Sequence, residues 1–202
     1  MLEALKHDLL QLGSPERAAF VLHFFKTGKG QYEEGDVFIG VSNPNARIIA
    51  KKYAQLSLAD TEQLLQNYIH EFRFVALIIL VNRFAKSRGV SRQTVVDCYL
   101  RNLEYVNKWD LVDCSCYKIL GAHLINQDRN LLYELAANSH FWSQQIAIVS
   151  TFCFIRGNQF SDTLRLAEIL LPHRHDLIHK AIGWMLREIG KRDELVLEEF
   201  LD

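Results

Sequence analysis

From Asp176 to Arg192 the chain reads DLIHKAIGWMLREIGKR, and at about 100° per residue this stretch presents two incompatible faces. Ile178, Ile182, Met185 and Ile189 fall on one stripe. Lys180, Trp184, Arg187 and Lys191 fall on the opposite one, at spacings of four, three and four. A cationic face is ordinary on a solvated helix, but a tryptophan centred in it forgoes roughly 2 kcal/mol or more of burial. Such a face suits a ligand that is both anionic and stackable, and nucleic acid is the obvious candidate. A second constellation lies upstream, in Asn107-Lys108-Trp109-Asp110-Leu111-Val112-Asp113. There Trp109 and Asp113 are four apart and share a helix face. Taken alone, Trp109 reads as core and Asp113 as a solvated charge or a helix-terminus partner. If both helices line one surface, two indoles and a carboxylate converge. Asp110, nearer the helix start, reads as a partner of the helix dipole.

Other chemistry-bearing residues are less specific. His175 and His179 are four apart and resemble the H-E-x-x-H zinc pattern with Asp176 following the first histidine, but no third ligand stands at a recognised spacing. They read as helix-start histidines. Cys114 and Cys116 lack the spacing and the second pair of a zinc knuckle, so all four cysteines (Cys98, Cys114, Cys116, Cys153) read as reduced structural thiols of a cytosolic protein. Arg47, Lys51, Lys52, Arg73 and Arg156 read as solvated or salt-bridged side chains. Phosphate-loop, dinucleotide-binding and hydrolase-elbow motifs are absent.

The elements that must position these residues are helices. Ser14-Pro15-Glu16 caps a helix running to about Phe25. A glycine-rich loop follows from Thr27 to Val41 and ends in Ser42-Asn43-Pro44. The pattern then predicts helices over about 44–55, 60–68, 70–87, 91–105, 109–124, 129–138, 141–156, 161–171 and 175–191, and a short one from 193. The fold class is therefore all-α. The longer helices begin near Ile69, Asn107, Phe141 and His175, about 35 residues apart, and Ala76, Ala147 and Ala181 recur in equivalent places. A period of this kind predicts an α-solenoid of HEAT-like helical repeats with a concave face, folded as a single domain over 1–202.

With 23 Lys and Arg against 24 Asp and Glu, the net charge is −1 and the isoelectric point about 6.7. A general nucleic-acid coat would have a value above about 9, so contacts to DNA must come from a local concentration of cations and be salt-sensitive. The longest apolar run, Phe74 to Val81, is far short of the 18 or so residues of a membrane span. The N-terminal MLEALKHDLLQL reads as an amphipathic helix rather than a signal or transit peptide.

Four stretches, KTGKGQYEEGDVFIGVSNPNAR (26–47), HEFRFVALIIL (70–80), NKWDLVDCS (107–115) and FWSQQIAIVSTFCFIR running on to HDLIHKAIGWMLREIGKRD (141–193), cover nearly the whole chain in order. In them the chain resembles the AlkD-like family of DNA alkylation repair enzymes, HEAT-like-repeat DNA glycosylases. The resemblance implies removal of cationic N3-alkyladenine and N7-alkylguanine bases from double-stranded alkylated DNA. It implies Trp109 and Trp184 flanking the damaged nucleotide's sugar, Asp113 as the catalytic carboxylate, and Arg187 as a DNA contact; the cationic face of the 176–192 stretch adds Lys180 and Lys191 as phosphate candidates. No cofactor, metal or membrane is expected, and the chain is expected to act as a cytoplasmic monomer, nucleoid-associated when bound. One departure stands out: Gln144 and Gln145 occupy positions where the family pattern has paired arginines. Gln145 can offer a phosphate only a neutral hydrogen bond, so Lys180, Arg187 and Lys191 must supply more of the grip. The alternative reading is a non-catalytic HEAT-like scaffold that binds DNA or a protein partner.

Overall fold

The structure, a computed structural model, describes residues 1–23, 25 and 36–202. Phe24, residues 27–35 of the expected glycine-rich loop, and residues 26–35 of the first resembling stretch lie outside the described residues. The chain forms two compact units, Met1–Leu111 and Val112–Asp202. The described residues are helical apart from turns, connections and one isolated bridge between Val37 and Ile69, as the all-α expectation requires.

In the first unit, α1 (Leu2–Gln11) buries Leu2, Leu5 and Leu9, one stripe at spacings of three and four. Pro15 opens α2 (Pro15–Val21), and the Ser14 hydroxyl accepts the Arg17 N–H at 3.2 Å. Ser42 and Ser57 cap α3 (Asn43–Lys52) and α4 (Leu58–Leu65) in the same way. The centre of the unit is α5 (His70–Lys86), in which every residue from His70 to Leu80 is buried. A helix apolar on nearly all sides must be surrounded, and α3, α4 and α6 (Gly89–Arg101) pack against it. A 3₁₀ turn, Leu103–Tyr105, then leads to α7 (Trp109–Cys116).

The stretch ahead of α3 is held to α5 by one side chain. The buried Glu71 carboxylate accepts backbone N–H groups from Ile39 at 3.1 Å, Gly40 at 2.7 Å and Val41 at 3.3 Å. The same stretch passes close to α2: Gly40 has φ +79°, and a Cβ there would sit 2.1 Å from the Ser14 carbonyl oxygen. Only glycine fits that position.

The second unit continues with a wide π turn, Tyr117–Gly121, and then α8 (Ala122–Leu124), α9 (Asn130–Ala137), α10 (Phe141–Ser150), α11 (Phe152–Ile155), α12 (Ser161–Leu170), α13 (Asp176–Gly190) and α14 (Glu194–Leu201). Here α10 packs on α9, α12 and α13, and α13 also meets α11, α12 and α14. Two helices expected to be continuous are broken. The helix over 109–124 widens before Gly121, where a Cβ would lie 2.2 Å from the Ser150 carbonyl oxygen, so the backbones approach closely there. The helix over 141–156 breaks at Thr151, whose hydroxyl donates to the Ile148 carbonyl at 2.6 Å and so competes with the helix's own hydrogen bonds. The recurring Ala76, Ala147 and Ala181 are all buried. Among the described residues no helix is long and apolar enough to cross a membrane.

Candidate functional site

The two faces read from the sequence of α13 are present. Ile178, Ile182, Met185 and Ile189 are buried. Lys180, Arg187 and Lys191 are exposed, and Trp184 between them is partly buried against Phe152, ring centroids 5.5 Å apart. The cations are lightly engaged. Lys180 reaches Asp176 at 3.2 Å, with both side chains more than half exposed, and Lys191 reaches Glu188 at 2.6 Å. The Lys191 ammonium holds the Glu188 carboxyl below its usual range. Arg187 and Lys191 also border a shallow hollow with Gly183, Leu197 and Leu201.

Helix α7 carries Trp109 and Asp113 one turn apart. Leu111, Val112, Cys114, Ser115 and Cys116 are buried, so Trp109, Asp110 and Asp113 form the helix's accessible edge. The Trp109 indole stacks on Phe25, centroids 5.4 Å apart and planes 17° from parallel. Both rings line a pocket of about 270 Å³ with Phe38, Phe74, His70 and Asp110.

Behind that pocket is a buried ion cluster that sequence reasoning missed. His70 opens α5, and its Nε2–H donates to Asp110 at 2.8 Å while Nδ1 lies 3.5 Å from Asp36. Arg73, one turn along α5, donates to Asp36 and, at 2.9 Å, to the Asn107 side chain. The Lys108 ammonium, 2% exposed, lies 3.6 Å from Asp36. Burial disfavours a charged imidazole at His70, but the Asp110 and Asp36 carboxylates outweigh it and raise its pKa to about 9. Burial likewise opposes the Asp36 carboxylate, and His70, Arg73 and Lys108 together keep its pKa below the usual value. At neutral pH His70 is therefore an imidazolium and Asp36 a carboxylate, packed together with Arg73, Lys108 and Asp110.

The remaining candidates divide by exposure. Gln145, on α10, is 3% exposed, and its Oε1 has no hydrogen-bond partner. Gln144 beside it is partly buried. Neither side chain is extended into solvent as a phosphate-binding arginine would be. Arg47, Lys51, Lys52 and Arg156 are exposed, Lys52 being paired with Asp8 at 2.6 Å. Arg73 is the exception, buried and ion-paired. His175 caps α13, its Nδ1 accepting the Leu177 N–H at 3.2 Å, and His179 Nε2 meets the His173 carbonyl. These are helix-start roles, and among the described residues no three His, Cys, Asp or Glu side chains gather as a metal site would require. Burial pushes the Cys98 thiol up to about 11 and the Cys116 thiol well above its usual value, which leaves both protonated and inert at neutral pH.

An all-α chain with a tryptophan-centred cationic helix and a surface edge pairing an indole with a carboxylate has the parts of a nucleic-acid-processing protein. The chain belongs to the family of DNA alkylation repair enzymes, whose model matches residues 5–202. A role in the repair of alkylated DNA follows from that membership. The fold is similar to that of a protein from Enterococcus faecalis described as a predicted DNA alkylation repair enzyme, with TM-score 0.70 at 20% identity, over 93% of this chain and 88% of that one. No curated protein matches the sequence.

Proposed function

We propose that the chain is a monofunctional DNA glycosylase that hydrolyses the N-glycosidic bond of cationic alkylpurines, of the N3-alkyladenine and N7-alkylguanine type, in duplex DNA. The observation that carries this reading is the edge of α7, where Trp109 and Asp113, with Asp110 between them, are the partly exposed residues of a helix whose other side chains are buried. An N-alkylated purine already bears positive charge and departs without a strong general acid. The barrier lies in the oxocarbenium character left on the deoxyribose. Asp113 stabilises that charge and orients or deprotonates the attacking water. The faces of Trp109 and Trp184 favour the same cationic sugar by roughly 0.5–2 kcal/mol each. Lys180, Arg187 and Lys191 hold backbone phosphates. In this reading the HEAT-like repeats form one domain, and the protein works as a cytoplasmic monomer without a cofactor.

The test is Asp113→Asn assayed on methylated duplex. Release of 7-methylguanine should fall to background while DNA binding stays largely intact, and equal release by wild type and variant removes Asp113 from the mechanism.

A second reading, a scaffold that binds DNA or a protein without chemistry, is favoured by two observations. The buried Gln145 brings no charge to a phosphate, and Lys180 and Lys191 have carboxylate partners within their own helix. It predicts no base release at any enzyme concentration.

A further inference from the structure

Four consecutive residues, Asn107 to Asp110, lead into and begin α7, and three of them are tied to one small region. Asn107 accepts from Arg73, Lys108 faces Asp36, and Asp110 accepts from His70. His70 and Arg73 are three apart on α5 and so lie on one face of that helix. Asp36 joins them from the stretch that Glu71 holds to α5. Trp109 alone of the four turns away from these ties, toward Phe25 and the pocket.

His70 reaches Trp109 by two routes. One is covalent: the residue that His70 grips, Asp110, is the next in the chain, so holding its carboxylate fixes the first turn of α7. The other runs through rings. The His70 imidazole lies 4.5 Å from the Phe38 ring and 5.3 Å from the Phe25 ring, and Phe25 stacks on Trp109. An indole that must meet a ligand face-on needs both its backbone and its plane fixed, and these two routes supply one constraint each.

The geometry points to His70 as a positioning residue that, clamped between Asp36 and Asp110, sets the first turn of α7 and the plane of the Trp109 indole for contact with the damaged nucleotide. The inference rests on the glycosylase reading for its functional consequence, and on the contacts of the first unit alone for its structural one. His70 does not touch the substrate. Its removal leaves Trp109 and Asp113 chemically intact but no longer held in register, and small misplacements of a positioning group are costly to a rate.

The test uses the full chain labelled with 5-fluorotryptophan. The three tryptophans give three fluorine resonances, and the one lost in Trp109→Phe belongs to Trp109. His70→Ala should shift or broaden that resonance and leave those of Trp142 and Trp184 in place. It should also slow 7-methylguanine release at saturating enzyme by roughly tenfold or more, with DNA affinity within about twofold of wild type. His70→Gln, whose side-chain amide can still donate to Asp110, should recover most of both. An unmoved Trp109 resonance in His70→Ala, or a moved one with an unchanged release rate in a protein that is active, overturns the proposal. If wild type itself releases no base, the glycosylase reading fails and the resonance alone decides whether His70 sets Trp109. If His70→Ala does not fold, the wild-type chain is titrated instead. The groups facing His70 are Asp36, Arg73, Lys108 and Asp110, with Glu71 adjacent on α5, and its own proton leaves near pH 9. The Trp109 resonance should move with that titration, and a flat one while His70 titrates overturns the assignment.

Discussion

The charges around His70 and the charges along α13 are of similar number and opposite character. In the first group imidazolium, guanidinium and ammonium are buried around Asp36 and Asp110, and Arg73, Lys108 and Asp110 all hold the approach to α7. In the second, Lys180, Arg187 and Lys191 stand in solvent, Lys180 paired with Asp176 and Lys191 with Glu188, both neighbours on the same stretch of chain. Buried ions have no water to return to, so removing one partner leaves the others uncompensated and costs about 3–5 kcal/mol. Exposed pairs within a helix contribute about 0.3–0.5 kcal/mol and exchange partners readily. The difference separates two jobs that charge can do in one chain. Buried charge fixes a geometry, and exposed charge stays available to an incoming phosphate.

The largest effect should come from breaking the buried group. Arg73→Met keeps the volume but leaves Asp36 short of a cation, and we expect a loss of about 3–5 kcal/mol in urea denaturation followed by circular dichroism. A loss no larger than that of a surface substitution would erase the distinction. Next comes pH. The folded pKa of His70, about 9, lies above its ordinary 6.5, so its contribution is complete below about pH 6.5 and disappears as pH rises through 9. The size is about 3 kcal/mol, read as a falling urea midpoint between pH 6 and pH 10, and His70→Gln should flatten that slope. The smallest structural effect belongs to α13. Lys180→Gln, Arg187→Gln and Lys191→Gln should each change stability by less than about 0.5 kcal/mol. Each should instead make the salt dependence of DNA affinity shallower, by about one counterion per cation removed, measured by fluorescence anisotropy across a salt series.

The two groups were also unequally visible in the sequence. The α13 face repeats at helical spacing within one segment, and that spacing alone puts Lys180, Trp184, Arg187 and Lys191 on one side of a helix. Helix starts were legible for the same local reason, as at Ser14-Pro15 and Ser42-Asn43-Pro44. The buried group joins residues 37 apart (Arg73 to Asp36) and 40 apart (His70 to Asp110), and no periodicity connects them. Arg73 in an apolar helix and Asp110 at a helix start were visible as single residues with ordinary explanations. The breaks near Gly121 and Thr151 escaped for a related reason: the glycine shows in the sequence, but the Ser150 carbonyl that requires it does not. Burial of Gln145 was equally hidden, since a polar residue in an amphipathic pattern reads as surface.

The cysteines matter for a protein that works on alkylated DNA. Agents that methylate purines also attack thiolates, and a protein sent to the damage meets the same electrophiles as the DNA. Nucleophilic attack by sulfur requires the deprotonated form. Cys98, with its pKa near 11, and Cys116, pushed well above its usual value by burial and the nearby Asp113 charge, present almost none of it at neutral pH. The carboxylate proposed for the chemistry thus also helps keep a neighbouring sulfur unreactive, and Cys98 and Cys116 enter an alkylating environment in the form least able to be modified.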